Sequence, residues 1–460
     1  MNGNVEAERG AGETVAVAEA MAAAGAAFAD ECRACARRIR LAHTIFAARE
    51  DGADDRTGPA WSHVDAWDRA RADLAEALVI NVGRAQSFLA FSLDLVRRLP
   101  AVLEAMEAGR MDERIARDFH RRLATVDSDR IAAVQARAVS EYLDRLDRGE
   151  RPGRAAVDAL IDEVIEQLDA EALARRRKAA VRDRFVSLRE APDGMCTLYA
   201  SLTAAEGAVL AARLEHDAAD ALDREPDAGT SRGERLADAL VHLAVNTAAP
   251  SCSTPGSDGG PGRAPIIRPQ VTVIAGRGPA AGRVVFARSG AASVDALLQL
   301  LGACTGATLE SVDPTPGAAD HGNRAERRAR TRTYRIAEDL KRRIRLRDGT
   351  CRHPGCSVRA EFCDVDHVRP FDHTDPSRGG PTAEHNLMCL CRRHHRFKTH
   401  GSWHYHLARD GTLTVVTDTG RRLRTRPFGP LARWRELEAR GSVAPDVVWP
   451  PNRGRYLLAC

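Results

Sequence analysis

The stretch CLCRRHHRFK (residues 389–398) sets two histidines side by side, three and four residues after a cysteine. Neighbouring residues of a helix project about 100° apart, so one metal ion cannot easily bind both His394 and His395. Either one histidine is incidental or the two belong to different sites. The choice between these readings decides which small fold the C-terminal part of the chain adopts.

The bulk composition indicates a globular protein with mostly helical structure. Of the 460 residues, 44% are hydrophobic and 29% are charged, as in ordinary soluble proteins, and this length predicts about three domains. Only 5% are aromatic, whereas alanine and arginine are abundant, which favours helices over sheets. The chain has no run of about 18 apolar residues, so no membrane span is expected.

The N-terminal stretch VAVAEAMAAAGAAFA (residues 15–29) has the apolar look of a secretion signal. Acidic residues precede it, where a signal would carry basic ones, and Glu19 interrupts it. The stretch is interpreted as a loosely ordered Ala-rich helix, and the prediction is a cytoplasmic protein. Because thiols stay reduced there, the eleven cysteines are not interpreted as disulfides.

Changes in composition and periodicity divide the chain into a large helical part and a small C-terminal module. Apolar residues recur every three or four positions in the helical part, which predicts a helical bundle. The predicted fold class is mainly α, with a small α+β module at the C-terminus. The predicted segments are a disordered N-terminus (1–25), a helical domain with a hairpin near 185–202 (26–250), a linker with a short strand at 270–276 and a helix at 292–304 (251–323), a basic helix (324–350), the module (351–420) and a tail (421–460).

Histidines and cysteines concentrate in the module. Nine of the fifteen histidines and five of the eleven cysteines lie between residues 351 and 406. Two close pairs separated by a structured segment are typical of a tetrahedral structural zinc site. The predicted ligands are Cys351, Cys356, Cys391 and His394. Cys389 could substitute for Cys391, His353 could replace a ligand, and the alternative is that these are reduced core cysteines.

The remaining motif is distributed over two short strands and a helix. Asp366 and His367 lie on the first predicted strand, Asn386 immediately precedes the second, and His395 lies on the helix that follows. With Gly-Gly-x-Thr and the zinc ligands in this order, residues 351–403 resemble the HNH endonuclease family in its zinc-stapled ββα-metal form. The longer chain resembles an actinobacterial group in which a helical domain of unknown function precedes an HNH module, often linked with mobile elements.

The resemblance implies a role for each residue of the motif. It makes His367 the general base, and it makes Asp366 and His395 the ligands of one divalent ion, Mg²⁺ or Mn²⁺, with Ni²⁺, Co²⁺ or Zn²⁺ also suited to imidazole. Asn386 would brace the loop and orient the base, or reach the metal. His394 then serves the zinc and His395 the catalytic ion, which answers the opening question. Arg369 and Lys398 are candidate phosphate contacts or simple surface charges.

The basic segment supports a nucleic-acid partner. Between residues 324 and 347, eleven lysines and arginines stand against three acids, although the whole chain has a net charge of only +4. Beside a nuclease module this segment, including Arg342, Arg343 and Arg345, is predicted to contact the DNA backbone; the alternative is a solvated helix face.

The function predicted is a metal-dependent DNA endonuclease, and the formation of a homodimer would allow it to cut both strands. One rival is a zinc-stabilised DNA-binding protein that no longer cuts. The other rival is a structural or assembly protein whose helical half carries the biology.

Overall fold

The computed structural model of the chain describes residues 2–51, 64–191, 195–224, 229–245, 329 and 331–439, with five further strand segments. Most of the described residues are helical, which confirms the prediction of a mainly α chain with small sheets near the C-terminus. Among the helices of these ranges, none combines the length and apolarity that a membrane crossing requires.

The N-terminal half is a bundle whose helices share one hydrophobic core. Helix starts follow the sequence closely, because the side chains of Asp65, Asn81 and Asp112 each accept a hydrogen bond from the backbone N–H three residues further on. The helices are α1 (Asn2–Asp51), α2 (Ala66–Ala77), α3 (Val82–Arg97), α4 (Pro100–Glu107), α5 (Glu113–Leu123), α6 (Ile131–Asp147), α7 (Arg154–Leu168) and α8 (Ala170–Arg182).

The first helix includes the Ala-rich stretch interpreted as helical, and it also covers the preceding residues, which were predicted to be disordered. α1 already begins at Asn2, although the side chains of residues 16–28 are exposed. Packing therefore does not hold this part of the helix. Alanine has the highest helix propensity, and this stretch is rich in it, which accounts for helix where low complexity indicated disorder.

A hairpin and two helices follow the bundle, as the sequence predicts. Strands β1 (Phe185–Glu190) and β2 (Cys196–Ser201) pair antiparallel, with Phe185 opposite Ser201. Helix α9 (Ala204–Arg224) then begins with a capping box, since Thr203 and Glu206 bond each other's backbone N–H groups. Helix α10 (Arg232–Val245) completes this part.

The stretch predicted as a linker contributes strands to a five-stranded sheet. The predicted strand is present as β3 (Gln270–Ile274), and it pairs parallel with β6 (Ala307–Val312). The predicted helix at 292–304 lies outside the described residues beyond Ala292. The strand order is β12-β6-β3-β4-β5, with β4 at Arg283–Phe286, β5 at Gly290–Ala292 and β12 at Arg455–Leu458.

The C-terminal module contains two small antiparallel sheets and three helices. β7 (Cys363–His367) pairs with β8 (Leu387–Cys391), so that Cys363 lies opposite Cys391 and His367 opposite Leu387. The segment predicted as a tail from residue 421 is instead part of the fold. Strand β11 (Arg422–Thr425) is the third strand of the second sheet, and the last helix, α13 (Pro430–Ala439), packs against helix α11 (Glu338–Asp348). The other elements are α11 (Glu338–Asp348), α12 (Arg392–His400), β9 (His404–Leu407), β10 (Leu413–Val416), β11 (Arg422–Thr425) and α13 (Pro430–Ala439).

The basic segment is helical over a shorter range than predicted. α11 begins only at Glu338, and residues 333–337 have no helical structure. The reason is that the backbone here bonds another part of the module: the N–H of Thr382 donates to the carbonyl of Thr331, and its hydroxyl donates to the carbonyl of Thr333. We call residues 331–335 the strap. Residues 324–328 lie outside the described residues.

The module docks on the bundle through the loop between its first two cysteines. The backbone N–H of Val82, at the start of α3, donates to the carbonyl of Gly355 at 2.8 Å. Gly355 has a φ of +72°, and an added Cβ would lie 3.4 Å from the carbonyl oxygen of Ile80. Glycine is favoured here by the left-handed backbone, whereas the contact with the bundle alone would leave room for a Cβ. Arg49 of the bundle also connects the two parts. It forms one ion pair with Asp73, within the bundle, and a second one with Asp418 of the module.

Candidate active site and metal centre

A buried polar network holds the two-stranded hairpin on α11. The carboxylate of Asp348, which is completely buried, accepts hydrogen bonds from Arg347, Arg352 and the backbone N–H of Cys389. Arg347 also donates to the carbonyls of Glu384 and Leu387. A buried charge is stable only when it is paired and hydrogen-bonded in this way. The network therefore fixes β8, which follows Asn386 and ends at Cys391.

The four predicted zinc ligands come together at one end of the hairpin. The sulfur atoms of Cys351, Cys356 and Cys391 and a ring nitrogen of His394 all lie within 4.8 Å of one another. Nδ1 of His394 is 3.4 Å from the Cys351 sulfur and 3.3 Å from the Cys391 sulfur. Tetrahedral zinc, with bonds of about 2.3 Å to sulfur and 2.0 Å to nitrogen, sets such ligands about 3.6 Å apart. These residues fit a structural metal ion such as zinc.

The electrostatics of the cluster also suit a cation. Hydrogen bonds from Cys351 and Cys356 lower the pKa of Cys391, while burial raises the pKa of Cys351. Without a metal, the cluster thus concentrates negative charge on the Cys391 sulfur. Thiolates are the zinc-binding form of cysteine, so a bound cation would replace thiol protons of the cluster.

The alternative ligands that the sequence left open lie outside the cluster. Cys389 is buried in the core of the module, with its backbone N–H bonded to Asp348. The ring of His353 stacks on that of His394 at 3.8 Å, and its Nδ1 lies 2.8 Å from the hydroxyl of Tyr405. His353 therefore positions a ligand and is not one. The ligand set Cys351, Cys356, Cys391 and His394 is the one that the structure assembles.

Asp366 and His395 approach each other on a different face of α12 from the one that carries His394. Nε2 of His395 lies 3.6 Å from Oδ1 of Asp366, and its Nδ1 lies 3.4 Å from Asp364. The neighbouring carboxylate of Asp366 raises the pKa of His395. Burial acts to raise the pKa of Asp366, but His395 and Lys398 outweigh it, so that this pKa is lowered. The carboxylate and the imidazole are close enough to share one divalent ion, and their donor types suit Mn²⁺ or Mg²⁺ with open water positions.

His367 has a defined tautomer. Its Nε2 lies 2.8 Å from the hydroxyl of Thr382, which in turn lies 2.6 Å from the carbonyl oxygen of Thr333. A carbonyl only accepts, so the single hydroxyl proton of Thr382 goes to Thr333, and Thr382 must accept the proton on Nε2. Nδ1 is then the ring nitrogen with a free lone pair. Burial lowers the pKa of His367, which keeps the ring neutral and basic near pH 7.

Asn386 closes the loop that connects the two strands. Its Oδ1 accepts from the backbone N–H of Arg369, and its Nδ2 donates to the carbonyls of Arg369 and Pro381. A Cβ added to Gly380 would lie 2.1 Å from the Arg369 carbonyl oxygen, so only glycine allows this closure. Of the two roles that the sequence left open, the structure places Asn386 in the bracing one.

The predicted phosphate contacts differ in their surroundings. Arg343 is buried and bonded to Glu384, which removes it from the surface and corrects its interpretation as a backbone contact. Lys398 is mostly buried as well, with its ammonium 2.8 Å from Asp366 and 2.6 Å from the His367 carbonyl. Arg345 and Arg342 are half-buried, and Arg345 donates to the Cys363 carbonyl. Arg369 is exposed, with its guanidinium bonded to the carbonyl of Arg378.

Sequence reasoning assigned no role to Thr382 and Tyr334, which both contact His367. The ring of Tyr334 stacks on that of His367, with centroids 5.7 Å apart and planes 14° apart. Thr382 is the threonine of the quoted Gly-Gly-x-Thr motif, so a signal for it was present. Tyr334 carried no such signal, because a continuous helix was expected where the strap lies.

Comparisons with known proteins identify the family to which the larger part of the chain is similar. Residues 26–348 match a family model described as a domain of unknown function, DUF222. The uncharacterized protein Rv2100 of Mycobacterium tuberculosis is 29% identical over 440 residues, which cover 86% of this chain and 75% of that protein. The uncharacterized protein Rv3776 of the same organism is also 29% identical, over 92% of this chain and 82% of that protein. No solved structure matches the chain. The chain belongs to the DUF222 family.

Proposed function

We propose that the chain is a metal-dependent DNA endonuclease of the HNH type, in which the C-terminal module hydrolyses phosphodiester bonds. The observation that carries this proposal is the chain of hydrogen bonds from His367 through Thr382 to Thr333, because it prepares a neutral imidazole with a free Nδ1. The adjacent Asp366 and His395 supply the two ligands that such chemistry requires. The resemblance of residues 351–403 to the HNH family supports the same reading.

In the proposed reaction His367 acts as the general base. Nδ1 accepts a proton from a water molecule as the water oxygen bonds to phosphorus, and the bond from phosphorus to the leaving sugar oxygen breaks. A neutral ring is required for this step, and the burial that lowers the pKa of His367 keeps it neutral. Thr382 holds the Nε2 proton throughout, so the ring does not change tautomer.

Asp366 and His395 would hold a divalent ion at the scissile phosphate. Bound there, the ion would supply neutralisation of the charge that develops on the phosphate and the leaving oxygen. Lys398 contacts the second oxygen of Asp366 and so orients the carboxylate. Asn386 keeps the loop closed, and thereby fixes the position of the strand end that carries His367.

The zinc cluster would have a structural role in this scheme. Cys391 and His394 lie at the end of β8 and in α12, and Cys351 follows α11, so one ion would connect the elements that carry the site. His395 is adjacent to a zinc ligand. The metal would therefore also fix the orientation of the helix turn that carries His395.

The test is the cleavage of supercoiled plasmid by purified full-length protein, with no added ion and with Mg²⁺, Mn²⁺ or Ni²⁺. We expect metal-dependent nicking that His367→Ala abolishes. His404→Ala, an exposed histidine of β9, is the matched control and should cut normally. Salt-sensitive DNA binding without cleavage under any ion would support the rival binding protein, and the absence of both binding and cleavage would reject the proposal and turn attention to the helical half.

A further inference from the structure

Three aromatic rings, two of them exposed and that of Phe371 half-buried, lie together directly beside His367. The Tyr334 ring lies 4.6 Å from His373 and 5.6 Å from Phe371, in addition to its stacking on His367. Tyr334 is nevertheless 58% exposed. A large aromatic side chain that is more than half exposed offers a surface for a flat apolar ligand.

The strap holds this tyrosine in place from both sides. Thr382 donates hydrogen bonds to the carbonyls of Thr331 and Thr333, three residues and one residue before the tyrosine. After the tyrosine, the buried side chain of Ile336 anchors the chain. The same threonine fixes the tautomer of His367. The aromatic surface and the candidate base are therefore held at a constant separation by one residue.

Exposed arginines lie close to the aromatic residues along the chain. Arg332 and Arg335 flank Tyr334 in the strap and are exposed, and Arg378 is exposed in the loop that carries Phe371 and His373. Oδ1 of Asp372 in the same loop accepts hydrogen bonds from the backbone N–H and the hydroxyl of Thr374 and from the backbone N–H of Asp375, where it stabilises a turn. The surroundings of the rings are suited to a ligand that combines flat rings with negative charge.

We propose that Tyr334, Phe371 and His373 stack an unpaired nucleobase of single-stranded DNA, next to the phosphate that is cut. This inference rests on the proposed nuclease function and adds a substrate preference to it. Bases of a duplex are stacked on both faces, so only an unpaired base offers a free face to the tyrosine. The flanking arginines would contact the backbone of the same strand. The preferred substrate would then be single-stranded or locally unpaired DNA.

Binding measurements without cleavage test the inference. Fluorescence anisotropy would be recorded for a short labelled single strand and for the blunt duplex of the same sequence, with no divalent ion added. Loss of one stacked base predicts that Tyr334→Ala weakens single-strand binding roughly tenfold or more. Duplex binding should change little. Tyr334→Phe keeps the ring and should bind as the wild type does, which excludes a role of the hydroxyl.

The controls separate this inference from the proposed function. Tyr199→Ala removes a comparably exposed tyrosine of β2 and should leave both affinities unchanged. Equal losses for single strand and duplex in Tyr334→Ala, or no loss, would overturn the stacking surface while the nuclease proposal stands. Failure of the wild-type protein to bind either probe would overturn both. A 2-aminopurine in the single strand, quenched by the wild type and Tyr334→Phe but not by Tyr334→Ala, would give independent support.

Discussion

The ammonium of Lys398 lies 2.8 Å from Oδ2 of Asp366, the carboxylate that would hold the catalytic ion. The other oxygen, Oδ1, accepts the backbone N–H of His367 at 2.8 Å and faces His395. One half-buried carboxylate thus connects three residues of the proposed active site. Its charge is balanced by cations on α12, so the site is stable before any metal binds.

This arrangement predicts the effect of removing the lysine charge. In Lys398→Met we expect the pKa of Asp366 to rise and the free energy of unfolding near pH 7 to fall by about 1–3 kcal/mol, because a largely buried carboxylate loses a charged partner. Lys398→Arg retains the charge and should lose less. Urea denaturation of the metal-free protein measures the free energy of unfolding of both variants.

The same carboxylate predicts a pH dependence of stability. Since folding lowers the pKa of Asp366, the contribution of this residue to the free energy of unfolding should be present above the unfolded pKa of about 4 and disappear as pH falls through the folded value. Equal stability of Lys398→Met and wild type would contradict this account.

The hydroxyl of Thr382 provides a second prediction. Thr382→Val keeps the shape of the side chain but removes the acceptor for the Nε2 proton of His367. We expect kcat for plasmid nicking to fall by roughly 10- to 100-fold, the range typical of residues that orient a functional group, with KM little changed. Thr382→Ser should restore most of the rate.

Nitrogen-15 NMR of the His367 ring tests the tautomer independently of activity. The wild type should show a proton on Nε2, and Thr382→Val should show a mixture of tautomers. A wild-type proton on Nδ1 would remove the basis for the proposed role, whatever the rates.

The zinc ligands were predictable from sequence because short loops fix which donors can converge. Cys351 and Cys356 are separated by a loop with a glycine that must adopt positive φ, and Cys391 and His394 lie within one turn at a helix start. Such local geometry limits the possibilities to one cluster, and the structure brings those four residues together.

The strap was not predictable in this way. Its residues carry the charge and helix propensity of the basic segment that follows, and a local pattern indicates helix. What prevents helix is a pair of hydrogen bonds from Thr382, about fifty residues away in the chain. The same long-range contact places Tyr334 on His367. The burial of Arg343 against Glu384 depends on an equally distant partner, which is why charge alone suggested a DNA contact.

The two histidines of the proposed active site predict how the rate depends on pH. His367 must be neutral to accept a proton, and burial lowers its pKa below the ordinary 6.5. His395 must lose its proton to bind a cation, and the neighbouring carboxylate of Asp366 raises its pKa. Falling pH therefore first weakens metal binding and only later protonates the base.

We expect the acid limb of the pH–rate profile to move with metal concentration. At low Mn²⁺ the rate should already fall as pH drops through the raised pKa of His395. At saturating Mn²⁺ the limb should move to lower pH, below 6.5, where His367 becomes protonated. Profiles of plasmid nicking at several Mn²⁺ concentrations measure this shift. If the acid limb of the profile stayed at the same pH for every Mn²⁺ concentration, one titrating group would control both metal binding and the chemical step.

The cysteine cluster predicts a structural metal that can be counted. Purified protein should contain one zinc per chain, measured by elemental analysis, and Cys356→Ser should lose it. Because metal binding of this kind contributes on the order of 10 kcal/mol to the folding of small modules, we expect the variant to expose the module to proteolysis. Cys196→Ser, which changes an exposed cysteine of β2, is the control and should retain both zinc and resistance. The bundle has its own hydrophobic core, so a protected fragment ending before residue 351 should survive in Cys356→Ser. A variant that loses zinc but stays resistant throughout would show that the network around Asp348, and not the metal, holds the module together.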